Sequence, residues 1–349
     1  MKYLRLFETD EDYEDFASTR FPRPNVTHIK QSLSKKQRYN KDLYLTFTAL
    51  EANSSVSLNR VGTESFSCSF EYSIDKGIHW QAYTIGTSVS LSNIGDSIKF
   101  RGTNNRLGLN ESNPNYHRFV MTGKIAGSGD ATSLLNNYGG NQTLSYSYAL
   151  QFLFYNCTSL VIAPNLPSTT TSVRCYYRMF EGCTNLLKGP DLPATTIKQN
   201  SYAQMFIGCN KLKQIPNISA KYLTASCANM FGGCTNVEYA PYFDFTEFDV
   251  NSNNGMSSMF NNCQKIKHWH FKTIHGDSNI FGSNSSCLTF TIDATTPPNL
   301  KSDSITGLKS TCIIYVPDDS VDLYKTANYW SARANYIKPM SERPNDLPC

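Results

Sequence analysis

The sequence predicts a mainly β protein with short helices: an N-terminal arm, a small β-sandwich, a repeat solenoid and a C-terminal cap. Three observations carry that prediction. A motif built on Phe and Cys recurs at steps of 24 to 29 residues through the second half of the chain. Ahead of it, apolar and polar residues alternate over short stretches. Charged residues make up only 17% of the 349, against about 25% in an average domain, while Tyr and Phe contribute 21 and 20. That composition excludes a charged disordered chain and a long helical coiled coil. A net charge of +4 is too small to imply nucleic-acid binding.

Residues 1–40 match neither patterned region. Glu8, Asp10, Glu11, Asp12, Glu14 and Asp15 form an acidic run, and Lys30, Lys35, Lys36, Arg38 and Lys41 a basic one. Such a segment reads either as a solvated terminus or as an arm that orders on a partner. The expectation is a docking arm, with Phe7, Tyr13, Phe16 and Phe21 as its contact residues. The start lacks the apolar run of a secretory signal, and no run of eighteen apolar residues predicts a membrane span.

Residues 41–125 predict the sandwich. Strand patterns fall at Tyr44–Leu50, Phe66–Ile74 and Ile98–Arg101. In the middle one, Phe66, Cys68, Phe70, Tyr72 and Ile74 all share one face by period-two alternation. Ser73-x-Asp75-x-Gly77-x-x-Trp80 fits the Asp-box of sialidases and other β-propellers. A propeller needs several such boxes and the chain has one, so the motif reads as a single hairpin.

Residues 126–317 hold the repeat. Phe-x-x-Cys-x-x-(Leu/Val/Ile) occurs at Phe154/Cys157/Leu160, Phe180/Cys183/Leu186, Phe206/Cys209/Leu212, Phe231/Cys234/Val237 and Phe260/Cys263/Ile266. A degraded copy is expected at Phe281 with Cys287-Leu288. A period in the twenties predicts a leucine-rich-repeat-like solenoid whose equivalent side chains stack in ladders. Cysteine suits such a ladder as a small buried hydrophobe, and Cys175 and Cys227 read as packing too. Zinc sites need paired ligands in one loop, which these spacings do not supply.

Residues 318–349 predict the cap and tail. Ile313–Val316 reads as a last strand, Asp318–Lys325 as a helix started by Ser320, and Trp330 with Tyr336–Pro339 as the closing segment.

These motifs resemble the BspA-like leucine-rich repeats of gut-bacterial surface proteins and of their phages. Met179–Leu186 (Met-Phe-Glu-Gly-Cys-Thr-Asn-Leu) is close to that family's pattern, and Met230–Val237 departs in its last residue. The resemblance implies an Ig-like sandwich ahead of the repeats, and the layout of residues 1–40 is similar to the N-terminal segments of crAss-like phage appendage proteins.

The search for chemistry is mostly negative. The chain lacks the nucleophile-elbow, zincin, P-loop and dinucleotide-binding motifs. His268-Trp269-His270 would put two imidazoles on one face of a strand, but two ligands alone do not complete a metal site. Asp244, Glu247 and Asp249 are the carboxylates able to supply an acidic pair. Tyr176, Tyr177, Tyr202 and Tyr222, with Tyr239, Tyr242 and Phe243, sit among Asn and Thr as candidate exposed surface-binding aromatics. No cofactor and no catalytic residue is expected.

The resemblance and layout together imply a non-enzymatic structural protein of a bacteriophage virion, a head or tail fibre component. It would assemble in the host cytoplasm, join other virion proteins through the arm as a homo-oligomer, and display its repeats for host-surface or glycan contact. The competing expectations are a bacterial cell-surface adhesin of the same repeat family and a carbohydrate-active enzyme.

Overall fold

Among the described residues, fifteen short strands and a few helical turns make the chain mainly β. The computed structural model describes residues 43–63, 66–109, 115–223, 226–248 and 255–347. The arm residues Phe7, Tyr13, Phe16 and Phe21 lie outside the described residues. Leu43–Cys349 clusters as a unit of its own.

The first eight strands are β1 (Leu45–Ala49), β2 (Ser54–Val61), β3 (Phe70–Ser73), β4 (Gln81–Ala82), β5 (Val89–Leu91), β6 (Ser97–Gly102), β7 (Tyr116–Thr122) and β8 (Ile125–Ser128). They form two sheets, in the orders β4-β3-β6-β1-β8 and β5-β2-β7. Phe47 and Phe100 of one sheet meet Phe119 of the other edge-to-face, at 4.7 and 5.2 Å between centroids. Such contacts add to the area these rings bury.

The middle strand is shorter than its alternation predicts. It ends at Ser73, and Ile74 is 61% exposed. Turn chemistry overrides the pattern there. Asp75 accepts the backbone N–H groups of Ile78 and His79, and Ser73 Oγ accepts that of Gly77. Gly77, at φ +86°, supplies a conformation that side-chain-bearing residues rarely adopt. The result is the β3–β4 hairpin.

The expected boundary between residues 125 and 126 falls inside β8. That strand pairs with β1 on one side and, in parallel, with β9 (Leu160–Ile162) of the first repeat on the other. Phe119 stacks on Phe154 at 5.5 Å, so one core continues from the sheets into the repeats.

Within the repeats, every motif Phe, Cys and Leu, Val or Ile is buried from Phe154 to Ile266. The rings of Phe154, Phe180, Phe206, Phe231, Phe260 and Phe281 form one stack, with centroid steps of 5.3 to 5.9 Å. Backbone bonding fixes this register. Each of the first five Phe N–H groups donates at 2.9 Å to the carbonyl just before the next Phe, from Met179 to Ile280. Two residues ahead of each Phe, the chain turns left-handed. Phe152, Arg178, Gln204, Asn229, Ser258 and Asn279 all have φ between 51° and 59°.

The degraded copy departs from expectation. Leu288 is 44% exposed, and the cysteine slot three residues after Phe281 holds buried Asn284. The extra residues between Asn284 and Leu288 move Leu288 out of the ladder.

Later strands are β10 (Tyr222–Leu223), β11 (Glu247–Phe248), β12 (His268–Phe271), β13 (Thr289–Ile292), β14 (Ile313–Val316) and β15 (Ile337–Pro339). The last four form one parallel sheet. The predicted cap helix is a 3-10 turn, Asp318–Ser320, running into an α-helix, Val321–Thr326. Ser320 does not cap it. Its hydroxyl donates instead to the Thr295 carbonyl, and Trp330, fully buried, donates its indole N–H to Pro298. Among the described residues no helix is long and apolar enough to cross a membrane.

Candidate functional site

Three of the four proposed surface-binding tyrosines are buried. Tyr176, Tyr177 and Tyr202 are 1%, 8% and 1% exposed. Tyr176 and Tyr202 occupy the position four residues ahead of their Phe, where Leu150, Cys227, Met256 and Asp277 are buried in other copies. Their rings stack at 6.0 Å as a second inner ladder. Tyr177 packs on Phe152 beneath the guanidinium groups of Arg174 and Arg178. Tyr222 belongs to β10, opposite Glu247 of β11. Phe243, also expected at the surface, is buried. Spacing alone could have flagged this, since both ladder tyrosines share one register with apolar residues.

Tyr239 and Tyr242 do face solvent, at 62% and 37% exposure, and Tyr242 belongs to the most chemically varied cluster on the repeats. The stack assembles it from three successive copies. Phe243 bridges in parallel to Phe271, which pairs with Ile292, so residues flanking these positions come together. On β12, Trp269 and Phe271 point into the core and His268 and His270 lie on the opposite, half-buried face. The two imidazoles therefore share a face, as the spacing predicts, but each has its own partner. His268 Nδ1 meets Thr289 Oγ1 and His270 Nε2 meets Asp293 Oδ1, both at 2.8 Å. Among the described residues, no group of three or more His, Cys, Asp or Glu is placed to hold a metal ion.

Asp293 is the centre of the cluster. A carboxylate can only accept, so His270 Nε2 carries the shared proton. Tyr242 donates its hydroxyl to the other carboxylate oxygen at 2.9 Å, and its ring meets the His270 ring edge-on at 4.7 Å. Burial pushes the Asp293 carboxyl up, but the His270 bond and charge and the Tyr242 bond outweigh it and hold it below its ordinary value. Burial and the bond to Asp293 push the Tyr242 phenol well above its ordinary value.

Beside it, Asp244 sits between two lysines, Lys221 at 2.9 Å and Lys272 at 3.1 Å. The hydrogen bonds from both lower its carboxyl pKa. Of the other two carboxylates of the expected acidic group, Glu247 lies on β11 and Asp249 lies outside the described residues. Asp293, 49 residues beyond Asp244, was not singled out in the sequence because only the stacking brings it near.

A shallow, open cleft beside this cluster is lined by Tyr242, Thr246, Lys272, Thr273, Asp293 and Thr295 over Ala294. No protein-family model matches the chain, and no curated protein matches its sequence.

Proposed function

We propose that this chain is a non-enzymatic structural protein of a bacteriophage virion, a head or tail fibre component that presents its repeats to a host surface. In this reading the stacked copies are a leucine-rich-repeat solenoid, the sheets ahead of them an Ig-like sandwich, and residues 318–349 its cap and tail. The observation that carries it is the continuous phenylalanine stack, from Phe119 through Phe281, with backbone bonds joining its successive repeats. Such a stack holds outward-facing residues of successive copies at fixed spacing, which suits a display scaffold.

The carboxylates at the candidate cleft are poorly suited to general-acid chemistry. A general acid working near neutral pH needs a raised carboxyl pKa, whereas Asp244 and Asp293 are both held below theirs. Residues 1–40 are the attachment element to other virion proteins in this proposal, and the displayed form is a homo-oligomer joined on that side. The test is particle composition. Full-length protein should co-purify with intact phage particles. A chain lacking residues 1–40 should remain soluble and fold cooperatively, because Leu43–Cys349 has its own core, yet be missing from particles. Absence of the full-length chain from particles defeats the virion reading. Normal incorporation of the truncated chain defeats the arm.

A further inference from the structure

We infer that the cleft over Asp293 binds an uncharged sugar ring of a surface glycan. This rests on the reading of the repeats as a displayed contact surface, and names the place and the ligand chemistry.

Charge is the first argument. The charged groups here already have partners: Asp244 bonds both Lys221 and Lys272, and Asp293 bonds His270. An anionic ligand would have to compete with Asp244 for its lysines, and a cationic one with His270 for Asp293. Desolvating a charge without a new partner is costly, so a neutral polar ligand is favoured.

The second argument is the set of contacts that remains open. Asp293 is 37% exposed at its side chain, and an ionised carboxylate has about four acceptor positions, two of them filled by His270 and Tyr242. Thr246, Thr273 and Thr295 also line the cleft, and a threonine hydroxyl can both donate and accept. The Tyr242 ring is held at its hydroxyl end by Asp293 and in T-shaped contact by His270, and stays 37% exposed. A fixed aromatic surface beside acceptors and hydroxyls matches the C–H face and the hydroxyl rim of a pyranose.

His270 acts here as a positioning residue. It does not line the cleft, and it contacts both Asp293 and Tyr242.

The experiment probes the full-length chain against immobilised neutral and acidic oligosaccharides, then measures the best neutral one in solution. Binding to a neutral oligosaccharide should change little between 50 and 500 mM salt, values at which ion-pair contacts are strongly screened. Tyr242→Ala and Asp293→Asn should each weaken it at least tenfold while the far-UV spectrum and melting transition stay close to wild type. Tyr146→Ala, an exposed tyrosine of the first repeat, should bind as wild type. His270→Gln, which can still donate to Asp293, should lose less than His270→Ala. Binding confined to acidic glycans or to protein, or neutral binding untouched by the Tyr242 and Asp293 substitutions, overturns the inference. So does the absence of glycan binding by a chain that does join particles. A chain that binds neutral glycan through this cleft but is missing from particles supports the inference and defeats only the virion reading.

Discussion

The thiol of Cys183 donates to the carbonyl oxygen of Phe154, one repeat earlier, at 3.0 Å. The same bond recurs from Cys209 to Phe180, Cys234 to Phe206 and Cys263 to Phe231, at 3.1 to 3.4 Å. Each of these carbonyls also accepts the N–H of the cysteine in its own copy. A buried carbonyl has two lone pairs to satisfy, and the ladder thiol takes the second. Cysteine therefore supplies both small apolar volume and a weak donor, which neither Ala nor Val combines.

This arrangement predicts unreactive thiols. Burial pushes Cys157 up to about 12 and Cys183, Cys209 and Cys263 well above their ordinary value, and only the thiolate is a good nucleophile. With a bulky thiol reagent, the native protein should label at the ladder cysteines no faster than it opens. Among the described cysteines, Cys68, the one that is not buried, should label first through its exposure, although burial pushes its thiol up to about 12 as well. Rapid native-state labelling at Cys183 or Cys209 would contradict the packing.

The phenylalanine stack predicts a second outcome. Phe206 lies between Phe180 and Phe231, at 5.3 Å from each, and is fully buried. Phe206→Ala should cost about 3–5 kcal/mol in urea unfolding, as the truncation of a large core ring does. Tyr239→Ala, at 62% exposure, should change stability by about 0.5 kcal/mol or less. Similar losses for the two would mean that Phe206 is not in the core.

The repeat was legible because Phe, Cys and Leu mark inward positions at a recurring period, and in the five clear copies each is buried where the spacing puts it, while Leu288 of the degraded copy is not. The tyrosines were misplaced because composition was weighed over register: Tyr176 and Tyr202 sit among Asn and Thr in sequence, but in the ladder slot of Leu150 and Met256 in space. Strands β2 and β7 carry the mixed sequences Ser54–Val61 and Tyr116–Thr122, whose polar residues hide the alternation. Asp293 was beyond reach for a different reason. Its partner His270 lies 23 residues away, and only the parallel pairing of β12 with β13 joins them.

His117 predicts an acid-side loss of stability. It is fully buried on β7, edge-on to Phe66 and Phe70, and neither ring nitrogen makes a hydrogen bond. Burial lowers its imidazole to about 4, the nearby Leu107 backbone offsets part of that, and Arg60 on β2 adds to the lowering. Above its ordinary value of 6.5 the ring is neutral in both states, so it contributes no pH dependence there. As pH falls through 6.5 the unfolded chain takes up a proton that the folded chain refuses, so stability drops. The drop is complete near pH 4, at about 3 kcal/mol. In His117→Phe, the slope of unfolding free energy between pH 6.5 and 4 should be shallower than in wild type. Parallel slopes would show that His117 is not buried as a neutral ring.

Two glycines predict losses of different origin. Gly208 has φ +71° and nothing within 4 Å of where a Cβ would stand. An alanine there meets only the left-handed backbone cost, about 1 kcal/mol. Gly307 lies where the segment after Asn284 packs on the preceding copy, and its carbonyl accepts the Asn284 N–H at 2.8 Å. A Cβ on Gly307 would stand 1.5 Å from the Gly282 carbonyl oxygen. That oxygen belongs to backbone and cannot swing aside as a side chain would, so the two segments must separate and disturb the Asn284 bond. Gly307→Ala should therefore cost about 3 kcal/mol or more, within the class of overpacked positions. Urea unfolding of the two variants side by side checks the contrast. Equal losses would mean that the contact between Gly307 and Gly282 is looser than the stacking of these copies requires.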